Sequence, residues 1–325
     1  MLQGTIHEQP ALLLIERAPF PVDQAYLGAL PGSLAQVRSL GANDVYSWHM
    51  ARAGAVAVAG TGSSSALSSS DHSEGDGGFF ADLKINLIFP CTETHVNKYS
   101  PQAFRFVTET PAVYATRVRP YMERKRGNGR LNWVYNIIEG RAEAEDVLFR
   151  TPLGQAGKDG EDGFLLLPDL NWDRTTVGEL RLLAVVERRD IWSIRDLRKS
   201  HVPWLRHMQN AILNAVTMRY PPLERDQIKL YFHYQPSYYH LHVHVVNVAA
   251  EANATQATGK AIGLESVIEL LEAMDPAVGE EKGMEAVSLS YSIGEAHELW
   301  TEVFAPLKLG DKKEDKKEEV TEGEA

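Results

Sequence analysis

The run Tyr238 to Val248, YYHLHVHVVNV, constrains the folding of this chain more than any other stretch. Its β-branched and aromatic residues favour a pleated strand, in which successive side chains point to opposite faces. His240, His242 and His244 then share one face, while Leu241, Val243 and Val245 share the other and meet a core. Upstream, Ile228 to Tyr234 (IKLYFHY) alternates in the same way, and Gln235-Pro236-Ser237 has the composition of a turn. The two segments are expected to be adjacent antiparallel strands.

Around this pair the chain reads as mixed α and β. Arg181 to Val186 (RLLAVV) predicts a mostly buried strand. A helix is expected from Ser200, as N-cap with an early Pro203, setting Leu205, Met208, Ile212, Ala215 and Val216 on one face. Gly263 to Met274 predicts another, with Leu264, Val267, Ile268 and Leu271 on one side. Earlier, Asp82 to Pro90 (DLKINLIFP) spaces Leu83, Ile85 and Leu87 at period two, as in a half-buried strand that Pro90 ends. The charge-rich Glu123 to Arg130 (ERKRGNGR) predicts a loop or hinge, and the apolar segment around Trp133 a strand.

At 325 residues the chain is long for one core, so two domains are expected. Their boundary is set near Phe106: residues 1–106 form a smaller N-terminal domain, 107–309 a larger one, and 310–325 a disordered charged tail. Within the first, Ala53 to Gly78 is rich in Gly, Ala and Ser and reads as a low-complexity, disordered insertion. Cys91 is the only cysteine, which excludes an intrachain disulfide or a cysteine-based zinc site and suits a reducing compartment. Neither an export leader nor a membrane-length apolar run is visible, so a soluble protein of the cytoplasm or nucleus is expected, with no membrane partner. The net charge of −11 argues against gripping long nucleic acid, yet a local pocket could still take a small phosphorylated ligand.

Four of the eleven histidines lie between His233 and His244. A lone histidine there would more often be a core residue with satisfied hydrogen bonds, but three on one face call for chemistry. Two readings compete, a three-histidine metal site and a nucleophile with supporting imidazoles. Metal binding by all three is awkward, because His240 and His244 stand about 13 Å apart along an extended strand, although adjacent pairs could chelate. A neutral imidazole attacks phosphorus near pH 7 and is also a competent leaving group, so this route needs no metal or other cofactor. Neighbouring histidines can hold the tautomer, donate to phosphate oxygens and protonate the leaving group.

His240-Leu-His242-Val-His244-Val-Val resembles the His-φ-His-φ-His-φ-φ signature of the histidine triad (HIT) superfamily. The wider His233-Tyr-Gln-Pro-Ser-Tyr-Tyr-His240 is similar to the scavenger decapping (DcpS) branch of it. The resemblance implies that His242 is the nucleophile and that His233, Ser237, His240 and His244 orient it or contact phosphates. Trp133-Val-Tyr-Asn-Ile-Ile-Glu-Gly-Arg-Ala-Glu143 resembles the branch's cap-stacking segment. It implies that Trp133 stacks on a methylated guanine, whose positive charge suits an indole, and that Glu143 bonds the guanine edge. Pro168-Asp169-Leu170 implies Asp169 as a polar contact to the base and Leu170 as the other side of the sandwich. Taken alone, Trp133 would more often be core, and the two acids surface charges.

Three positions depart from the branch. Asn171 stands where a lysine is common, Lys260 where an arginine is usual, and Ala81 in place of an asparagine that contacts ligand. An Arg-to-Lys change keeps the charge and loses the bidentate fork. The resemblance runs from about Asn43 to Leu309, outside the insertion. It implies an α+β homodimer: a C-terminal HIT-like antiparallel sheet with helices, and a smaller N-terminal α+β domain exchanged between subunits, closing as a lid about a hinge near residues 104–118. The implied reaction is hydrolysis of the 7-methylguanosine cap on dinucleotides or short capped RNA after 3′-to-5′ mRNA decay. It releases 7-methylguanosine monophosphate and a nucleoside or oligonucleotide diphosphate through a phosphohistidine. A general dinucleoside polyphosphate hydrolase and a catalytically weak cap-binding regulator stand as alternatives.

Overall fold

The computed structural model describes residues 1–17, 24–43, 46–53, 83–127, 129–151, 163–169, 172–274 and 281–310. The predicted insertion beyond Ala53, the tail from Asp311, and Ala81, Leu170 and Asn171 lie outside the described residues. The chain divides into two compact units, Met1–Ser100 and Pro101–Ala325.

In the first unit, β1 (Leu2–Ile6) turns through His7 and Glu8, both at positive φ, into β2 (Gln9–Arg17). Two consecutive left-handed residues give the turn whose twist matches an antiparallel hairpin. Helix α1 (Gln24–Ser33) leads to a second hairpin, β3 (Leu34–Asn43) with β4 (Tyr46–Ala53). Strand β5 (Leu83–Ile88), expected from its period-two spacing, pairs antiparallel with β2, and α2 (Glu93–Tyr99) follows. Leu87 is more than half exposed, however, as are large parts of Leu2 and Ile15 on the same face, so the face that Leu87 occupies is not the buried one.

In the second unit, β6 (Phe104–Glu109) ends at Thr110, which caps α3 (Pro111–Val113); a π-helical turn, Tyr114–Val118, continues it into α4 (Arg119–Gly127). The loop expected at Glu123 to Arg130 is therefore helical as far as Gly127. Tyr121 and Met122 are buried and anchor this helix, while Arg124 and Lys125 pair with Glu302 and Glu298. Charges that suggest a loop in one dimension are the outer face of a helix in three. The Trp133 segment is also a helix, α5 (Asn132–Ile138), rather than a strand. Val134, Ile137 and Ile138 bury one side of it at helical spacing. Gly140, at φ +71°, ends it, with the Arg141 N–H donating to the Asn136 carbonyl at 2.7 Å.

Six strands form the main antiparallel sheet: β7 (Phe149–Arg150), β8 (Phe164–Pro168), β9 (Arg181–Val186), β10 (Ile228–His233), β11 (His242–Asn247) and β12 (Ala261–Gly263). Their spatial order is β12-β10-β11-β9-β8-β7, so β10 and β11 are the expected antiparallel neighbours. Helix α6 (Val202–Arg219) connects β9 to β10. It begins one residue later than a Ser200 N-cap implies, because Lys199–His201 form a 3₁₀ turn and His201 stands at the N-cap instead. Helix α7 (Leu264–Glu272) follows β12, and β13 (Leu289–Gly294) pairs with β6.

The register decides which face does what. His242 pairs with Val185 and His244 with Leu183, so the histidines share a face with Leu165, Leu167 and Val185, on which α5 packs. Val243 pairs with Ala184 and Val245 with Leu182 on the opposite face. There the buried residues of α6 and α7, Leu205, Met208, Ile212, Val216, Leu264, Val267, Ile268 and Leu271, complete the larger core. Burying each such Leu, Ile or Val contributes about 1.5–3 kcal/mol. That apolar face fixes the sheet and holds the histidine face in place. Among the described residues no helix is long and apolar enough to cross a membrane.

Candidate active site

The regular strand begins at His242, not at Tyr238 as the alternation suggested. Ladder pairing with β10 reaches only from Asn247 to His244, opposite Tyr231, and the His240 N–H turns back onto the Tyr238 carbonyl at 3.0 Å. The three histidines nevertheless stay on the α5 side. His240 meets the edge of Tyr135 from α5, Tyr238 stacks on His242 with centroids 4.4 Å apart, and His242 lies 5.2 Å from His244. His233, at the end of β10, is brought against His244 at 3.8 Å.

Hydrogen bonding selects the tautomers. His242 Nδ1 lies 2.8 Å from the His240 carbonyl, which can only accept, so Nδ1 carries the proton and Nε2 of the neutral ring keeps its lone pair. His240 Nε2 donates to the Val186 carbonyl at 2.7 Å, and His233 Nε2 to that of Thr255 at 2.8 Å. Among the described residues His240 Nδ1 and His244 Nε2 are buried without a hydrogen-bond partner, polar atoms that a ligand could satisfy.

Burial, above all, keeps these rings neutral. It pushes His242 and His240 down to about 4 and His233 to about 3, and holds His244 well below the ordinary imidazole range; the Lys260 ammonium adds to the effect at His233, His242 and His244. Protonation would remove the lone pair of His242 Nε2, so an activity that depends on it should fall only as pH drops toward about 4. We expect kcat/KM to change less than about twofold between pH 7.5 and 5.5, where an imidazole of ordinary pKa would lose roughly tenfold. Initial rates across that range check this, and a midpoint near the ordinary value would contradict it. The sign for stability is separate. Below about 6.5 the unfolded chain takes up protons that the buried rings refuse until about 4, so folding stability declines as pH falls across that window.

The flanking residues divide. Trp133, 48% exposed on α5, is no core residue; it packs edge-on against Tyr238 at 4.9 Å, so Tyr238 lies between it and His242. Asp169, just past β8, places a carboxylate oxygen 3.9 Å from His244 Nδ1. Lys260 donates its ammonium to the Gln235 carbonyl at 2.5 Å; it follows Gly259, whose φ of +81° only glycine adopts easily. Glu143 and Ser237 have exposed side chains, and Glu143 neighbours Arg174. Asp169, Lys260, His233, His240 and His244 thus come together around His242, with Trp133 reached through Tyr238. Leu170 and Asn171 lie outside the described residues.

Sequence reasoning missed three contributors. Tyr238 stacks on His242, an aromatic that the strand pattern counted only as a β former. Trp192, beneath the guanidinium groups of Arg119 and Arg126 at 3.6 and 4.3 Å, lines a pocket with His233, Pro236, His240 and His242. A buried carboxylate, Glu109, binds the β10–β11 loop through Gln235.

An antiparallel sheet with helices on both faces and an imidazole row on one strand defines a HIT-like α+β protein. Residues 132–259 match the family described as scavenger mRNA decapping enzyme C-term binding, and residues 1–102 match the scavenger mRNA decapping enzyme (DcpS) N-terminal family. The chain is 36% identical to the m7GpppX diphosphatase of Schizosaccharomyces pombe, over 94% of this chain and 88% of that protein. It is 36% identical to the m7GpppX diphosphatase of Ascaris suum, over 84% and 79%, and 33% identical to that of Mus musculus, over 84% and 70%. The chain belongs to the scavenger mRNA decapping enzyme (DcpS) family.

Proposed function

We propose that the chain hydrolyses the 7-methylguanosine cap of dinucleotides and short capped RNA fragments, with His242 as nucleophile. The observation that carries this reading is the tautomer of His242. Its Nδ1 proton is held by the His240 carbonyl, so an unprotonated Nε2 is ready for phosphorus within a family whose relatives are named m7GpppX diphosphatases.

In the first step the Nε2 lone pair bonds to the phosphorus next to methylguanosine. The anhydride P–O bond breaks, and its electron pair leaves on the oxygen of the nucleoside or oligonucleotide diphosphate. Lys260 offsets the charge that builds there, and His244 donates an N–H to a phosphate oxygen. Water then attacks the phosphohistidine and gives up a proton to solvent; the P–N bond breaks, 7-methylguanosine monophosphate departs, and Nε2 recovers its lone pair. Incubation with methylated and unmethylated cap dinucleotides in the presence of chelator, followed by product analysis, tests the reading. It is overturned if methylated substrate persists or is cut no faster than unmethylated.

Trp133 supports the base in this reading. Its exposed indole offers a face to a cationic guanine, with Asp169 and Glu143 as polar contacts. Stacking of one base contributes about 1–3 kcal/mol, so Trp133→Ala should raise KM roughly 5- to 100-fold with kcat little changed. Steady-state kinetics on methylated dinucleotide checks this, and an unaltered KM would remove Trp133 from the base site. The assembly in this reading is a homodimer with residues 1–106 exchanged as a lid, in the cytoplasm or nucleus. The resemblance from Asn43 to Leu309 and the exposure of Phe104 and Phe106 on β6 support it. Sedimentation at micromolar concentration tests it.

A further inference from the structure

The loop that joins β10 to β11 rests on a buried carboxylate. Glu109 Oε1 accepts from Arg195 Nε and Nη2 at 2.9 and 2.6 Å and from the Tyr234 hydroxyl at 2.5 Å. Its Oε2 accepts from the Tyr291 hydroxyl at 2.7 Å and from Gln235 Nε2 at 3.1 Å. The other end of the Gln235 amide is also fixed, because Oε1 accepts from the Tyr239 hydroxyl at 3.1 Å. Gln235 is buried, and both polar ends of its side chain are held.

Its main chain faces Lys260. The Gln235 carbonyl accepts from Lys260 Nζ at 2.5 Å, and the preceding Tyr234 N–H donates to the Lys260 carbonyl at 2.9 Å. A lysine ammonium is a compact charge on a flexible stem, so a carbonyl in a rigid place can decide where it sits. That ammonium is near enough to act electrostatically on His233, His242 and His244.

We propose that Gln235 is a positioning residue for the reaction: clamped between Glu109 and Tyr239, it holds the Lys260 ammonium at a fixed place relative to His242, where the substrate phosphates come to rest. This role rests on the cap-hydrolase reading above. It asks nothing of Gln235 in the chemistry itself. What it supplies is a fixed carbonyl, and a displacement of about 1 Å at such a point can cost on the order of 100-fold in rate.

A double-mutant cycle tests it, using the full chain and methylated cap dinucleotide. Gln235→Leu keeps similar bulk and removes the amide's contacts with Glu109, Tyr291 and Tyr239. We expect kcat to fall roughly 10- to 100-fold with KM changed less than about threefold. In a Lys260→Met background the same substitution should cost less than about threefold, because the group it positions is gone. Tyr239→Phe, which removes one hydroxyl, should show a smaller loss with the same dependence on Lys260, and it carries the test if Gln235→Leu does not fold. Equal fold-losses with and without Lys260, or no loss in the folded variant, overturn the role of Gln235 while leaving the hydrolase reading intact. A wild-type chain inactive on the methylated dinucleotide removes both.

Discussion

His242→Asn should leave a folded protein that binds methylated cap dinucleotide but hydrolyses it at least about 10⁴-fold more slowly, since loss of a nucleophile in a cooperating set costs several orders of magnitude. The substitution suits the geometry. The asparagine amide can still donate to the His240 carbonyl, the bond that His242 Nδ1 makes at 2.8 Å, so the local backbone keeps its partner. What is lost is Nε2, the atom with the lone pair. Single-turnover assays with product separation measure the rate, and near-UV circular dichroism checks the fold. Retention of more than about 1% of wild-type turnover would place the nucleophile elsewhere. Affinity for the dinucleotide should stay within a few-fold, because Trp133 and Asp169 are untouched.

Much of this site could be read locally. Period two sends His242 and His244 one way and Val243 and Val245 the other, and the register with β9 keeps that division across the sheet. Helices α6 and α7 were legible for the same reason, since their apolar residues recur at helical spacing and need only one face to bury. The failures share a cause. Val134, Ile137 and Ile138 are β-branched and suggest a strand, but Gly140 stops a helix and Leu165, Leu167 and Val185 receive its apolar side. Arg124 and Lys125 of the charged run find partners near residue 300, far outside any local window. His240 alternates correctly in sequence, yet its backbone belongs to a turn because the ladder with β10 has already ended. The support beneath the site is the least legible part of all. Glu109 and Arg195 are 86 residues apart, and neither lies in a pattern that announces the other.

That buried pair should dominate the stability of the second unit. Glu109 and Arg195 have no exposed side-chain surface, so solvent and salt do little to screen them. Glu109→Ala leaves a guanidinium with three carbonyl partners, those of residue 109 itself, Met284 and Val287, and no carboxylate, and it strips the acceptor from the Tyr234 and Tyr291 hydroxyls. Removing one member of such a pair costs about 3–5 kcal/mol. For a unit of this size that corresponds to a fall in Tm of roughly 6–20 °C, measurable by calorimetry. A fall below about 3 °C would show that the pair is not stabilising. Replacing both members, as in Glu109→Leu with Arg195→Met, should recover part of the lost stability, because no uncompensated charge stays buried, although the Tyr234 and Tyr291 hydroxyls still lack their acceptor. Activity should not return with it. Gln235 would still lack the carboxylate that orients its amide, so a stable double variant with slow turnover would separate what the pair does for the fold from what it does for the histidines.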